Sequence, residues 1–425
     1  MSGRFFGDEY LNKKYLNIVI LLSIVLVDMI GANMVITILP EFFKQSYGTS
    51  SNAQNLLYGL LIACYPLGQL FGAPIFGYFS DNLGRKRILS YSLIGTTFSY
   101  FISFVALCIG NLPMLFVARL LDGFTGGNIF IAQSAILDSS NQKSKSKYLG
   151  LINLMIGLGA ITGPLLGGIL TEIKSPFSQF GSLFSLAIPF FGAFILGLVN
   201  ITVLQKLFKE TKHNLSGIVE IKKINPFYSF RQIYKAFRVK AFRSLFVVSF
   251  LLSLAFSIFS NFFPKLLSDR SGLTPLLIGS IISYFGIWVF ASVLICLPLL
   301  NRYFKHSQSL YLTLFATAIF GLMLSLITQT WGYFLVLPMV AIGVSLSTPI
   351  LITILSNKSP ADQQSKILGI NTSLQAFAAT APILAGLIAV YSIELTIIIS
   401  FLIYGVAGGV AYFRSSEFGD NPSSI

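Results

Sequence analysis

The sequence predicts an all-α integral membrane protein: twelve transmembrane helices in two six-helix, pseudo-symmetric halves. Three observations predict it. Hydrophobic residues make up 54% of the 425 residues and charged residues only 10%, where a soluble domain carries about 25% charge. The apolar residues gather into twelve runs near the length of about 20 residues that crosses a bilayer as a helix. Two segments 218 positions apart align with each other, which is the mark of a duplicated half.

Taken in order, the runs lie near 16–39, 55–77, 89–109, 112–137, 147–170 and 180–204, then near 243–264, 277–300, 308–328, 331–355, 366–390 and 393–413. All are continuously apolar and about twice the length of the alternating ten-residue segments of a membrane β-barrel, so they are read as helices. The first follows Lys13 and Lys14. It exceeds the apolar core of about 7–15 residues in a secretion signal, and no A-x-A site follows, so it is kept as span one. The second and third flank the charged turn GYFSDNLGRKR, Gly77 to Arg87. The fourth carries Arg119 and Asp122, and the fifth carries a run of glycines. Between the sixth and seventh lies the longest loop, which sets the expected domains: 1–204, a basic linker at 205–242, and 243–425.

Net charge is +14, but its distribution argues against a nucleic-acid partner. With twelve spans the loops alternate sides. The N-terminus, alternate loops and the C-terminus hold 24 of the 29 Lys and Arg, and the opposite loops hold Lys44, Lys174, Lys265 and Arg270. Lysine and arginine collect on the cytoplasmic side. Both termini are therefore expected to be cytoplasmic, in a bacterial inner membrane, with membrane lipid as a partner. In the linker, Phe227, Phe230, Ile233, Tyr234 and Phe237 share a helical face flanked by Arg231, Lys235 and Arg238. That pattern reads as an amphipathic helix on the inner leaflet, with a solvated basic linker as the alternative.

Chemistry of the catalytic or metal-binding kind is not called for. Cys64, Cys108 and Cys296 sit far apart inside spans without metal-ligand spacing. His213 and His306 have no nucleophile or carboxylate at a suggestive spacing. No enzyme activity, cofactor or metal is expected.

The repeat pairs Ile136 to Gly168 with Ile354 to Gly386, aligning Pro164 with Pro382. Parallel six-span halves around a central site are a transporter architecture. The charged turn has a worn second copy, in which Asn301 stands opposite Asp81 and Phe304 opposite Gly84.

Those residues resemble a known family. Gly77-x-x-x-Asp81-x-x-Gly84-Arg85-Lys86-Arg87 resembles the loop-2/3 signature of the major facilitator superfamily. Gly159-x-x-x-Gly163-Pro164-x-x-Gly167-Gly168 resembles the signature of its drug:proton antiporters, and Arg119-x-x-x-Gly123 resembles a third signature. VDMIGANMVITILP, ARLLDGFTGGNIFIAQSAILD and NPFYSF place the likeness nearest the tetracycline-exporter branch. The resemblance implies a monomeric, proton-coupled exporter working by alternating access. It also implies a conformational latch of Gly77, Asp81, Gly84, Arg85 and Asp138. Asp81 would face the positive N-terminus of span eleven, and Arg85 would pair with Asp138. Gly77 is expected to let span two approach a neighbour closely, and Gly84 to turn the chain with φ > 0. Gly163 and Pro164 are expected to shape a bend where spans five and eight pack.

Three charges lie within the slab: Asp28, Arg119 and Asp122. Insertion of such a charge costs about 2.5–3.5 kcal/mol, so these are functional candidates. Counted at 1.5 Å per residue, they lie roughly 16, 10 and 15 Å from the outer ends of their spans. Two acids sharing one base cannot both ionise cheaply, so one is expected to hold a proton near neutrality; a purely structural pair is the alternative. The second half shows no charge deep in any span. The expected cargo surface is Asn33, Gln69, Asn128 and Gln133 opposite Phe256, Phe259, Tyr284 and Trp288, suited to a small amphiphilic molecule. Uptake or export of a native metabolite or siderophore, or a non-transporting sensor, are the alternatives.

Overall fold

The computed structural model describes residues 2–47, 52–138, 144–173, 181–212, 231–234, 239–360 and 362–418. Among them are twelve helices long and apolar enough to cross a membrane: Leu16–Tyr47, Ala53–Leu83, Arg85–Cys108, Leu112–Asp138, Lys147–Thr171, Leu183–Leu207, Lys240–Ser271, Pro275–Tyr303, His306–Leu326, Thr330–Lys358, Lys366–Ala389 and Ile393–Phe413. They are numbered as spans one to twelve. The described residues contain no strand. A bilayer offers no water to satisfy the backbone, and a helix satisfies its own.

Helix ends follow local chemistry. Asn111 caps span four, accepting from Met114 N at 2.9 Å. Ser392 caps span twelve, accepting from Leu395 N at 3.1 Å. Gly84, at φ 103°, separates span two from span three, a conformation that L side chains avoid. Span four is interrupted at Gly126 and Gly127 between the helices Leu112–Thr125 and Asn128–Asp138.

Spans one and seven run through a proline past the ends that the apolar pattern suggests. Span one continues through Pro40 to Tyr47, and span seven continues through Pro264 to Ser271. A proline removes one backbone bond, and membrane helices tolerate that loss.

The chain forms two compact units, Met1–Ile38 with Leu67–Pro226, and Leu39–Pro66 with Phe227–Ile425. The core of the first includes Leu21, Ile24, Leu89, Ile152 and Leu204, each at most 1% exposed. In the second, Phe259 packs on Phe263, Phe285 and Phe401 with ring centroids 5.1–5.7 Å apart. Within the linker, 231–234 are helical. Phe227, Phe230, Lys235, Phe237 and Arg238 of the expected amphipathic face lie outside the described residues.

Candidate functional site

The charged turn is a lattice of helix-end contacts inside the first unit. Arg85, 6% exposed, donates from Nε to Asp138 Oδ2 at 2.8 Å and from Nη2 to Asp81 Oδ1 at 2.8 Å. Its Nη1 donates to Ser80 Oγ at 3.0 Å. Lys212 Nζ adds a second cation to Asp81 at 3.0 Å. The Asp81 side chain nevertheless stays 55% exposed.

One further residue completes the turn and is not legible in the motif. Glu210 accepts the backbone N–H groups of Arg85 and Lys86 at 2.9 and 3.0 Å, so a carboxylate from beyond span six closes the positive N-terminus of span three. Lys86 reciprocates, donating from Nζ to the carbonyls of Gln205 and Phe208 at 2.9 and 2.6 Å, the negative end of span six. Arg87 instead lies 5.9 Å from the centre of the Tyr91 ring. Gly77 corrects the expectation of a close helix approach: a Cβ there would meet nothing within 4 Å.

Deeper in the same unit lie the membrane charges. Arg119 Nη1 donates to Asp122 Oδ2 at 2.7 Å, one turn along span four. Asp28, from span one, accepts from Asn128 Nδ2 at 2.7 Å. Asp28 and Arg119 are each 7% exposed, and Asp122 and Asn128 are each 1% exposed. Asp28 and Asp122 are within electrostatic reach of each other, and Ser99 of span three lies beside Asp122. Asn128, read from the sequence as cargo surface, is thus the amide that holds Asp28. Its position after the Gly126–Gly127 break aims it at span one.

The signature glycines of span five, Gly159, Gly163, Gly167 and Gly168, are buried, and the neighbour of the first three is span one. A Cβ at Gly163 would come 2.8 Å from the Ile30 carbonyl and 2.7 Å from Asn33 Cβ, and one at Gly167 would come 2.6 Å from the Met34 carbonyl. Gly159 abuts Met29. Glycines at i, i+4 and i+8 make one narrow face, and it seats span one where span eight was expected. Pro164 and Gly168 are buried beside it.

Of the other polar candidates in this unit, Asn33 Nδ2 donates to the Met29 carbonyl at 2.8 Å, Gln69 Nε2 donates to the Gly126 carbonyl at 3.3 Å, and Gln133 is half-buried. In the second unit Phe259, 2% exposed, is core packing and offers no face to cargo. Phe256 and Trp288 are 39% and 37% exposed. Tyr284 donates to the Phe334 carbonyl at 3.0 Å.

The second unit also holds a fully buried charge within a span, Lys265, which the sequence reading assigned to an outer loop. Lys265, in span seven, is 0% exposed and pairs with Asp269 Oδ2 at 2.9 Å. The apolar run stops at Pro264, so Lys265 reads as a loop residue in the sequence; the helix continues and Tyr58 covers it, 5.4 Å from ring centre to Nζ.

A model of the Major Facilitator Superfamily matches residues 21–381. The chain is 27% identical over 353 residues to the class C tetracycline resistance protein of Escherichia coli, covering 83% of this chain and 84% of that one. It is 26% identical to the quinolone resistance protein NorA of Staphylococcus aureus (strain MSSA476), covering 77% and 78%. Among solved structures, an inward-facing, occupied bacterial homolog of the human lysosomal transporter Spinster superposes with a TM-score of 0.74 at 13% identity, over 94% of this chain and 96% of the other; at that identity the likeness concerns the fold. Twelve apolar helices, three signature segments in their expected spans and a family match across most of the chain lead to one conclusion: this integral membrane protein belongs to the Major Facilitator Superfamily of transporters.

Proposed function

We propose that the protein exports a small amphiphilic molecule in exchange for protons by alternating access. The proposed setting is a bacterial inner membrane with both termini in the cytoplasm. The observation that carries this reading is the unequal charge of the buried set in the first unit: Asp28 and Asp122 with one arginine, Arg119. Packing alone does not call for two acids on one base, whereas a proton carrier needs an acid that can change state.

The names of the two relatives favour drug-like cargo of the tetracycline or quinolone kind. The surface proposed for it is Asn33, Gln69 and Gln133 with Phe256, Tyr284 and Trp288. The turn of Asp81, Gly84, Arg85 and Asp138 is proposed as the conformational latch. Asp81, still half exposed after two cation contacts, retains room for a further partner as the transporter turns.

The test is cargo-induced proton release from detergent-solubilised protein, followed with a pH dye across a panel of amphiphilic drugs. Wild type should release protons with at least one compound, and Asp28→Asn or Asp122→Asn should not. Release by both single variants at the wild-type level would overturn the assignment.

A further inference from the structure

Lys265 is a charge that the exporter reading leaves unused. It lies in span seven, six residues before the end of that helix at Ser271, on the side opposite the charged turn, proposed above as the outer side. Tyr58 covers it from residues 39–66, the outer segments of spans one and two, which pack within the second unit.

That packing is a seam. Tyr58 donates its hydroxyl to the Asn261 carbonyl at 2.8 Å, and its ring stands edge-on to Phe43 and Phe262, with centroids 5.6 and 5.4 Å away. Asn55 Nδ2 donates to the Ala389 carbonyl of span eleven at 2.7 Å. A Cβ at Gly59 would come 2.7 Å from the Gly386 Cα, so backbone lies against backbone. The aromatic, amide and glycine contacts all favour a closed seam.

The ion pair beneath them does not. An ammonium has three N–H donors to satisfy. Lys265 has one carboxylate oxygen, Asp269 Oδ2, and the face of the Tyr58 ring. Asp269 Oδ1 is buried and meets no donor. A buried pair that lacks its remaining hydrogen bonds recovers less than its desolvation costs. The other charges facing the pair are Lys44, itself 4.0 Å from Glu41, and Glu394; Arg270 points elsewhere, donating to the Ser325 carbonyl at 2.7 Å. Water reaching Lys265 would relieve the deficit, and lifting the Tyr58 ring from over Nζ would admit it.

We propose that Lys265 and Asp269 are positioning residues that oppose closure of this outer seam: the incompletely satisfied pair drives the seam apart, and Asp269 limits that drive by neutralising the lysine. The inference rests on the alternating-access reading. Its consequence is that losing one partner and losing both charges act with opposite sign. Asp269→Asn leaves a buried cation alone and should hold the seam open. Lys265→Met with Asp269→Asn removes both charges and should hold it shut.

The experiment uses full-length protein in oriented vesicles with Cys64, Cys108 and Cys296 replaced by alanine and Ala389→Cys as reporter, 1% exposed when the seam is closed. A membrane-impermeant maleimide is applied from the outer side, and its labelling rate is read without cargo or a proton gradient. Loss of transport is therefore scored apart from motion of the seam. Asp269→Asn should label about tenfold faster than the reference, and the double variant about tenfold slower. Should Asp269→Asn fail to fold, the double variant decides alone, since it buries no charge. Labelling of the double variant at or above the reference rate, or slower labelling of Asp269→Asn, would overturn the proposal.

Discussion

Asn128 reaches across from span four to donate its side-chain amide to Asp28 of span one at 2.7 Å. The contact joins two spans 100 residues apart in the chain and supplies the hydrogen bond that a buried carboxyl requires.

Removing it should be costly. Asn128→Ala leaves Asp28 buried without its donor, a loss of about 1–3 kcal/mol. The thermal unfolding midpoint of purified protein should fall. Adding Asp28→Asn should recover part of it, because the group left unmatched is then neutral. Equal midpoints for wild type and Asn128→Ala would show that the bond contributes nothing.

Arg119 should be less replaceable than either acid. Arg119→Ala leaves the Asp122 carboxylate, 1% exposed, without its cation, and breaking such a pair costs about 3–5 kcal/mol. Monodisperse yield should drop sharply for Arg119→Ala and return in part for Arg119→Ala with Asp122→Asn, without return of transport. Fluorescence-detected size exclusion reads the first, and a cargo efflux assay the second.

Gly163→Leu should fail at the level of folding rather than of coupling. Its side chain would enter the space of the Ile30 carbonyl, 2.8 Å from where a Cβ would sit, and overpacking of this kind costs about 1–3 kcal/mol. Gly157, in the same span, has nothing within 4 Å of its Cβ position, so Gly157→Ala should keep wild-type yield. Normal yield for Gly163→Leu would mean that span one yields easily.

Glu210→Ala should loosen the ends of spans three and six together. It removes the acceptor for the backbone N–H groups of Arg85 and Lys86, a capping loss of about 0.5–2 kcal/mol. Amide hydrogen exchange of residues 85–88 should accelerate while cargo affinity is unchanged; slow exchange in the variant would show that Glu210 is not the cap.

The contacts of Glu417 predict a pH dependence. Glu417 accepts from Arg414 and from Ser244 at 3.2 Å, and the Arg414 hydrogen bond holds its carboxyl below the ordinary value of 4.5. A depressed folded value stabilises above the unfolded value, and the stabilisation is lost as pH falls through the folded one. Wild type should therefore exceed Glu417→Gln slightly in unfolding midpoint above about pH 4.5, the difference closing toward lower pH. The group is exposed, so the effect is small. A difference that widens on acidification would reverse the assigned sign.

The spans were legible because a bilayer imposes one rule on every crossing segment: about 20 apolar residues with the backbone satisfied internally. The same rule singled out Asp28, Arg119 and Asp122, since a charge inside such a run is conspicuous. Gly84 was legible too, because a tight turn between helices needs φ > 0. Arg85 and Asp138, 53 residues apart, were paired only through the family resemblance, and the structure places them at 2.8 Å.

What the sequence did not determine depends on which surfaces meet. Glu210 caps a helix whose start is 125 residues earlier, and no local pattern marks a cap that distant. Asn128 is one polar residue among several until the break in span four turns it toward Asp28. Gly163 and Gly77 look alike as letters, yet one lies against the backbone of span one and the other faces open space. Lys265 sits beyond an apparent helix end, and only the fold puts Tyr58 over it. The bilayer acts on each span singly, so composition reveals its solution; packing acts on pairs of spans, and only the tertiary structure says which residues are paired.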